Sequence, residues 1–322
     1  MEDGLSNFIM LKKKISLLIV SFILSLIVLL IMSECVLRNV GLGDPVIYYS
    51  DPAFGYSLEP NQKVERLRGS TVTINESGLR SLQIWQDVGK QKILFLGDSV
   101  TYGGSYVTDE DIFSELICKD MVEYICGNAG VNGYGVLNMV MRSRFDSTLD
   151  DADIVVFTLV PGDFKRGLTT IKHLPYFVGK PSGFGANLFP AITETINFAS
   201  YKFHIGNSIS KSNDHNEWVP PDYSRESTEF ALEILNDEVK RLQSQGKNVF
   251  IFLSPQRNDP DFKDELANII DNDLMLNYEK YYMRGDFLNK DEYFYDSVHY
   301  ENLGHAKVAN KMTQMLSDFK LK

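Results

Sequence analysis

Lys92-Ile93-Leu94-Phe95-Leu96-Gly97-Asp98-Ser99-Val100-Thr101-Tyr102-Gly103 decides the reading of this chain: an apolar strand, KILFL, stops in a Gly-Asp-Ser turn that leads toward a helix. A serine at such a turn is exposed, with its own backbone N–H pointing at whatever it attacks. Its hydroxyl is a poor nucleophile until a base takes the proton, so the turn calls for a histidine elsewhere. Of the five histidines, His173, His204, His215, His299 and His305, only His299 stands in the pattern Asp296-Ser297-Val298-His299, just ahead of a closing helix expected over Leu303 to Phe319. An aspartate three residues before a histidine in one turn can accept its Nδ1–H and fix the tautomer, leaving Nε2 free for Ser99. Ser99, His299 and Asp296 are therefore the candidate catalytic residues. Each half alone also has an ordinary reading, as a tight turn of any α/β protein and as a hydrogen-bonded surface turn.

Outward from that strand, Val122 to Cys126 (VEYIC), Ile154 to Leu159 (IVVFTL) and Asn248 to Leu253 (NVFIFL) are further runs of the kind buried on both faces. Helical patterns lie between them, near Glu110 to Met121, Val136 to Thr148 and Thr228 to Gln245. Strands alternating with helices predict a parallel sheet covered on both sides, and ligands of such sheets sit at the carboxyl ends of the strands. Residues 164 to 222 carry aromatics, Pro and Gly without a clear period and read as an inserted lid or substrate-facing subdomain.

The Gly-Asp-Ser turn after the first strand, together with Asp-x-x-His near the C-terminus, resembles the SGNH hydrolase (GDSL-like lipase and esterase) family in its membrane-anchored bacterial form. Asn128-Ala129-Gly130-Val131-Asn132-Gly133-Tyr134-Gly135 supports the resemblance, as do Asp51-Pro52 through Gly55-Tyr56, Pro60-Asn61, and Asn75 through Gly78-Leu79-Arg80. The likeness covers residues 34 to 163 and 248 to 319. It implies a three-layer α/β/α sandwich of the flavodoxin-like type with a mainly parallel sheet, a catalytic serine needing no cofactor and no metal, and an oxyanion hole from the N–H groups of Ser99 and Gly133. One position departs from the family pattern. Its Gly-x-Asn-Asp segment supplies an asparagine donor to the oxyanion, whereas this chain reads Leu159-Val160-Pro161-Gly162-Asp163-Phe164, with Gly162 in the asparagine's place. A lost oxyanion donor costs about 3 to 4 kcal/mol, on the order of 100- to 1,000-fold in rate, which leaves activity through the Ser99 and Gly133 amides. Asn132 and Asn258 are the candidate substitute donors. Asp98 is read as a cap for the following helix, Asp163 as a residue that fixes its loop, and His305 as structural.

From Ile15 to Met32 the sequence is ISLLIVSFILSLIVLLIM, without a charge, and as a helix it reaches ~27 Å at about 1.5 Å per residue. Lys12, Lys13 and Lys14 precede it, which places the N-terminus in the cytoplasm and the main domain in the periplasm or at the cell surface. A cleaved signal peptide is the rival reading. Its apolar core would be shorter and end in small residues, whereas this run passes into Ser33-Glu34-Cys35-Val36-Leu37-Arg38, so an uncleaved anchor is expected. The expected order is residues 1–14 cytoplasmic, 15–33 transmembrane, 34–90 a stem with a small hairpin, and 91–322 the hydrolase-like domain containing the 164–222 insertion.

The formal charge of -11, with 43 acidic against 32 basic residues, excludes a nucleic-acid partner, which needs clustered Lys and Arg. Among the three cysteines no pair has C-x-x-C spacing; Cys118 and Cys126 are close enough for a local disulfide, and two buried thiols are the equal alternative. The expected partners are the lipid bilayer, through the N-terminal helix, and an acylated small molecule or glycan. The expected reaction is ester hydrolysis through an acyl-enzyme. Two alternatives stand beside it: transfer of the acyl group from the same serine to a polysaccharide hydroxyl, and a catalytically inactive glycan-binding module, which Gly162 motivates.

Overall fold

A computed structural model of the chain describes residues 2–180, 183–203, 225–254, 288, 290–292 and 298–320. Helix α1 (Glu2–Asn39) opens the chain, and its stretch Met10–Asn39 is long and apolar enough to cross a membrane. Its large apolar side chains from Met10 to Met32 face outward. Strands β1 (Ile47–Asp51) and β2 (Gly55–Leu58) then form one antiparallel pair, β3 (Gln62–Glu65) and β4 (Thr71–Ile74) a second. The small hairpin expected within residues 34–90 is matched by β3 and β4, where Val72 and Ile74 turn inward and Thr71 and Thr73 alternate with them.

The central layer is a parallel sheet of β5 (Gln91–Gly97), β6 (Tyr124–Gly130), β7 (Ile154–Leu159) and β9 (Asn248–Leu253), in the order β6-β5-β7-β9. The intervening β8 (Phe177–Val178) lies outside that sheet, parallel to β1. Counted within the sheet the order is 2-1-3-4, that of flavodoxin-like folds. One face buries Leu94, Leu96, Ile125, Val155, Phe157 and Ile251 with side chains of α4 (Val136–Phe145) and α7 (Arg225–Ser244). The other buries Ile93, Phe95, Cys126, Val156, Phe250 and Phe252 with side chains of α3 (Phe113–Asp120) and α8 (Asn302–Lys320). The chain is therefore a three-layer α/β/α sandwich, as expected. Residues of the first two hairpins, among them Tyr48, Tyr56, Leu58, Val72 and Ile74, share the first of these cores.

Several expected elements differ in extent: α3 begins at Phe113 rather than Glu110 and α7 at Arg225 rather than Thr228, and two others differ for reasons visible in their contacts. The second sheet strand runs Tyr124–Gly130 rather than Val122 to Cys126, and pairs with β5 as far as Gly97 opposite Gly130. A polar residue does not end it, because buried Asn128 satisfies itself internally. Its Nδ2 donates to Thr101 O at 2.7 Å and Ser114 Oγ at 3.1 Å, and its Oδ1 accepts from Gly130 N at 2.9 Å. Helix α4 stops at Phe145 rather than reaching Thr148, because Asp146 turns its carboxylate onto Thr148 N at 3.2 Å and starts a 3₁₀ turn over Ser147–Leu149. The described residues of the aperiodic segment include two α-helices, α5 (Phe184–Leu188) and α6 (Pro190–Lys202), and its residues 204–222 lie outside the described residues. Glu34 near the end of α1 accepts from Ala191 N at 3.1 Å and Ile192 N at 3.0 Å, so the long helix caps the first turn of α6.

Cys118 in α3 and Cys126 in β6 form a disulfide, Cα–Cα 5.7 Å, which settles the even choice in favour of the bridge; Cys35 is free and exposed. With a sequence separation of 8 it closes a short loop, for which chain-entropy arguments give about 2 to 3 kcal/mol. Reduction with dithiothreitol is therefore expected to lower the unfolding free energy by about 2 kcal/mol in guanidinium titrations. Coincident oxidised and reduced curves would show that the bridge adds nothing.

Candidate active site

The loops that follow β5, β6 and β7 meet at the carboxyl edge of the sheet, as the order of the strands requires. Ser99 begins a short helix α2 (Ser99–Tyr102), whose N-cap is Asp98: its Oδ1 accepts from Val100 N at 2.8 Å. The strand can turn so sharply because residue 97 has no side chain. A Cβ there would lie 1.9 Å from Thr101 Oγ1 and 2.8 Å from Thr158 O. Ser99 remains partly exposed while Val100, Thr101 and Tyr102 are buried, so the serine is the residue of α2 that solvent reaches.

His299, 200 positions later, places Nε2 2.7 Å from Ser99 Oγ. Its loop is fixed from both sides. The Tyr300 hydroxyl meets that of Ser254, just beyond β9, and Tyr106 Oη donates to Tyr300 O at 2.8 Å. Arg68 pairs with Glu301 at 2.9 Å, and Asn302 Nδ2 donates to Asp111 Oδ2 at 2.8 Å. Asp296, the expected third member, lies outside the described residues, as does Asn258. Asn132 is engaged: its side-chain Nδ2 donates to Tyr48 Oη at 2.8 Å, and its main-chain carbonyl accepts from Tyr56 Oη at 2.7 Å.

Gly133 stands in the loop after β6 with φ +82, a left-handed conformation, and a Cβ there would come 2.9 Å from Tyr56 Oη. Glycine at 133 is thus required by both backbone and space. Gly162 lies in the 3₁₀ turn Pro161–Lys165 after β7; among the described residues beyond its chain neighbours, a Cβ there would meet the guanidinium of Arg166 alone, at 3.7 Å. Asp163 holds this turn, its Oδ2 accepting from Val160 N at 2.9 Å. Burial and the nearby charge of Asp98 push the Asp163 carboxyl well above the usual carboxylate range, against the opposing effect of Arg166.

Arg166 was not among the expected site residues. Its Nη1 donates to Asp98 Oδ2 at 3.4 Å, Tyr134 O at 2.7 Å and Asp163 Oδ1 at 2.9 Å, so one arm ties together the loops after β5, β6 and β7. An arginine in an aperiodic segment carries no sequence signal; the only cue is its place three residues after Asp163. Among the described residues no group of three His, Cys, Asp or Glu is arranged to hold a metal ion.

His305 in α8 is fully buried between the rings of Phe113 and Tyr300, and its Nδ1 accepts from Phe113 N at 3.2 Å. Burial, with the charge of Arg80, pushes its pKa down to about 3. Because the unfolded imidazole takes its proton near pH 6.5 and the folded one only near 3, stability from this group is complete above the former and lost as pH falls toward the latter. Unfolding free energy should therefore drop by up to about 1.4 kcal/mol per pH unit over that window. His305→Gln is expected to flatten this acid slope by nearly one proton in denaturant titrations between pH 7 and 4. Equal slopes in the two proteins would rule it out.

No protein-family model matches the chain, and no curated protein matches its sequence. Solved structures do. A G-D-S-L family protein from Desulfitobacterium hafniense is 8% identical at a TM-score of 0.41, over 70% of this chain and 99% of its own. A GDSL-like lipase from Bacteroides thetaiotaomicron is 11% identical at 0.40, over 73% and 92%. A catalytic mutant of an acetylxylan esterase from Geobacillus stearothermophilus is 13% identical at 0.39, over 71% and 95%. At such identities and TM-scores these are likenesses only, and the chemistry rests on the side chains of this chain.

Proposed function

We propose that the chain is a membrane-anchored serine esterase of the SGNH type, acting outside the cytoplasm on acyl esters. The observation that carries this reading is the 2.7 Å contact between His299 Nε2 and Ser99 Oγ at the carboxyl edge of a parallel sheet. Ser99 Oγ attacks the ester carbonyl as His299 takes its proton, and the tetrahedral intermediate expels the alcohol, which leaves with that proton. Water, activated by the same imidazole, then releases the acid. Asp296 is assigned to His299 Nδ1, and the Ser99 and Gly133 N–H groups to the oxyanion. The apolar, outward-facing α1 supports an anchor, with Lys12 to Lys14 on the cytoplasmic side. Acyl groups on envelope or secreted glycans are the substrate class that this location offers.

The test is labelling of the full-length chain in detergent with a fluorophosphonate probe, followed by peptide mapping. The expected result is a single phosphonylated residue, Ser99. An intact, folded chain that takes up no probe would overturn the esterase reading and leave a glycan-binding module. Incubation of an acetylated donor with a glycan acceptor separates hydrolysis from transfer: free acetate as the sole acyl product removes the transferase alternative.

A further inference from the structure

The guanidinium of Arg166 has two arms, and among the described residues only one of them makes hydrogen bonds. All of its described hydrogen bonds leave from Nη1, to Asp98, Tyr134 and Asp163. Nη2 is the nitrogen that stands 3.7 Å from where a side chain on Gly162 would begin, and apart from the chain neighbours of Gly162 it is the one described atom within 4 Å of that position. The arm therefore borders the space that an asparagine carboxamide at 162 would fill. The stem of Arg166 is equally constrained, since a Cβ on Gly135 would come 2.6 Å from the Arg166 Cβ. The side chain is not sealed off, being 32% exposed, whereas its partners Asp98 and Asp163 are almost wholly buried. A guanidinium keeps its charge at any pH of interest, and its planar fork means that fixing one arm aims the other.

We propose, resting on the esterase reading above, that Arg166 is a catalytic residue whose Nη2 donates to the oxyanion in place of the asparagine that Gly162 lacks. As Ser99 Oγ bonds to the carbonyl carbon, the π electrons move onto the carbonyl oxygen and the serine proton passes to His299 Nε2. That oxygen, now anionic, accepts from Nη2–H together with the amides of Ser99 and Gly133. When the electrons return, the bond to the alkoxy oxygen breaks and His299 returns the proton to the leaving alcohol. Arg166 gives up no proton in the cycle. A charged donor makes a shorter and stronger bond to an oxyanion than a carboxamide does, so one arginine arm offsets the missing side chain. Asp98 and Asp163 act here through Arg166, as positioning residues.

The distinguishing variant is Arg166→Lys, which keeps a cation between the two aspartates but has no second arm. Its rate of Ser99 phosphonylation by a fluorophosphonate is expected to fall on the order of 100-fold or more, at an unchanged melting temperature. Adding Gly162→Asn, a position with room for a side chain, is expected to recover about tenfold or more of that loss. Undiminished labelling of Arg166→Lys overturns the donor role while leaving the esterase reading intact. Slow labelling without recovery by Gly162→Asn also overturns it, assigning Arg166 to loop positioning alone. If wild-type Ser99 takes no probe, both readings fall together. Should Arg166→Lys fail to fold, phenylglyoxal modification of wild type, mapped to Arg166, gives the answer: slower reaction once Ser99 carries the phosphonyl group is expected, and equal rates overturn the proposal.

Discussion

Ser99→Ala is expected to lower ester hydrolysis by roughly 10⁴- to 10⁶-fold, and His299→Ala by nearly as much, with both proteins folded and equally stable. On the proposed mechanism the reason is the 2.7 Å separation of Oγ and Nε2, which makes each group depend on the other. A hydroxyl without a base is barely nucleophilic, and a base without a hydroxyl has only water to activate. The losses should therefore not multiply. The double variant Ser99→Ala/His299→Ala is expected to retain about the same residual rate as either single variant, the part supplied by oxyanion donors and binding. Steady-state kinetics on p-nitrophenyl acetate decide it. Full activity in Ser99→Ala, or a double variant slower by the product of the two single losses, would show that the two residues do not work as one unit.

Arg80→Met is expected to destabilise the protein by about 3 to 5 kcal/mol, the largest effect of a single substitution remote from the nucleophile. Arg80 is completely buried. Its Nε pairs with Asp109 at 2.9 Å, Nη1 donates to Tyr102 O at 2.8 Å and Gly104 O at 2.7 Å, and Nη2 to Val107 O at 2.6 Å. A methionine of similar length leaves those three carbonyls and a fully buried carboxylate without their donor. Burial already pushes the Asp109 carboxyl upward, with Arg80 as the main opposing influence. In the variant the folded state must keep Asp109 protonated while the unfolded chain releases that proton above about pH 4. Stability then falls as pH rises, so the deficit should be larger at pH 8 than at pH 5. Denaturant titrations at the two pH values test both the size and the sign. The segment that Arg80 grips leads directly out of α2, so hydrolysis is expected to weaken along with the fold. A loss under about 1 kcal/mol would show that solvent compensates the carbonyls.

The sheet was legible because burial on both faces writes itself into neighbouring residues: IVVFTL and NVFIFL became β7 and β9 with the expected bounds. The Gly-Asp-Ser turn was legible for the same local reason, since strand, turn and cap lie within a few positions of one another. Asp98 is the cap that its residue type predicts. Strand ends were less legible, because Asn128 continues β6 only by virtue of partners at Thr101 and Ser114 that no local pattern reveals. The disulfide between Cys118 and Cys126 was undetermined for a related reason: spacing permits a bridge, and only the packing of α3 on β6 brings the sulfurs together.

What the sequence determined by itself was a set of strands and helices with a serine at one strand's carboxyl end and an Asp-x-x-His pattern awaiting a partner. Only the tertiary structure decided which side chains meet there. His299 reaches Ser99 across 200 positions, and Arg166 reaches Asp98 across 68 and Tyr134 across 32. Periodicity reports which face of an element is buried, because that depends on residues one turn or one pleat away. The destination of a guanidinium or an imidazole depends instead on where loops from different strands end, which is fixed only when the sheet orders them side by side.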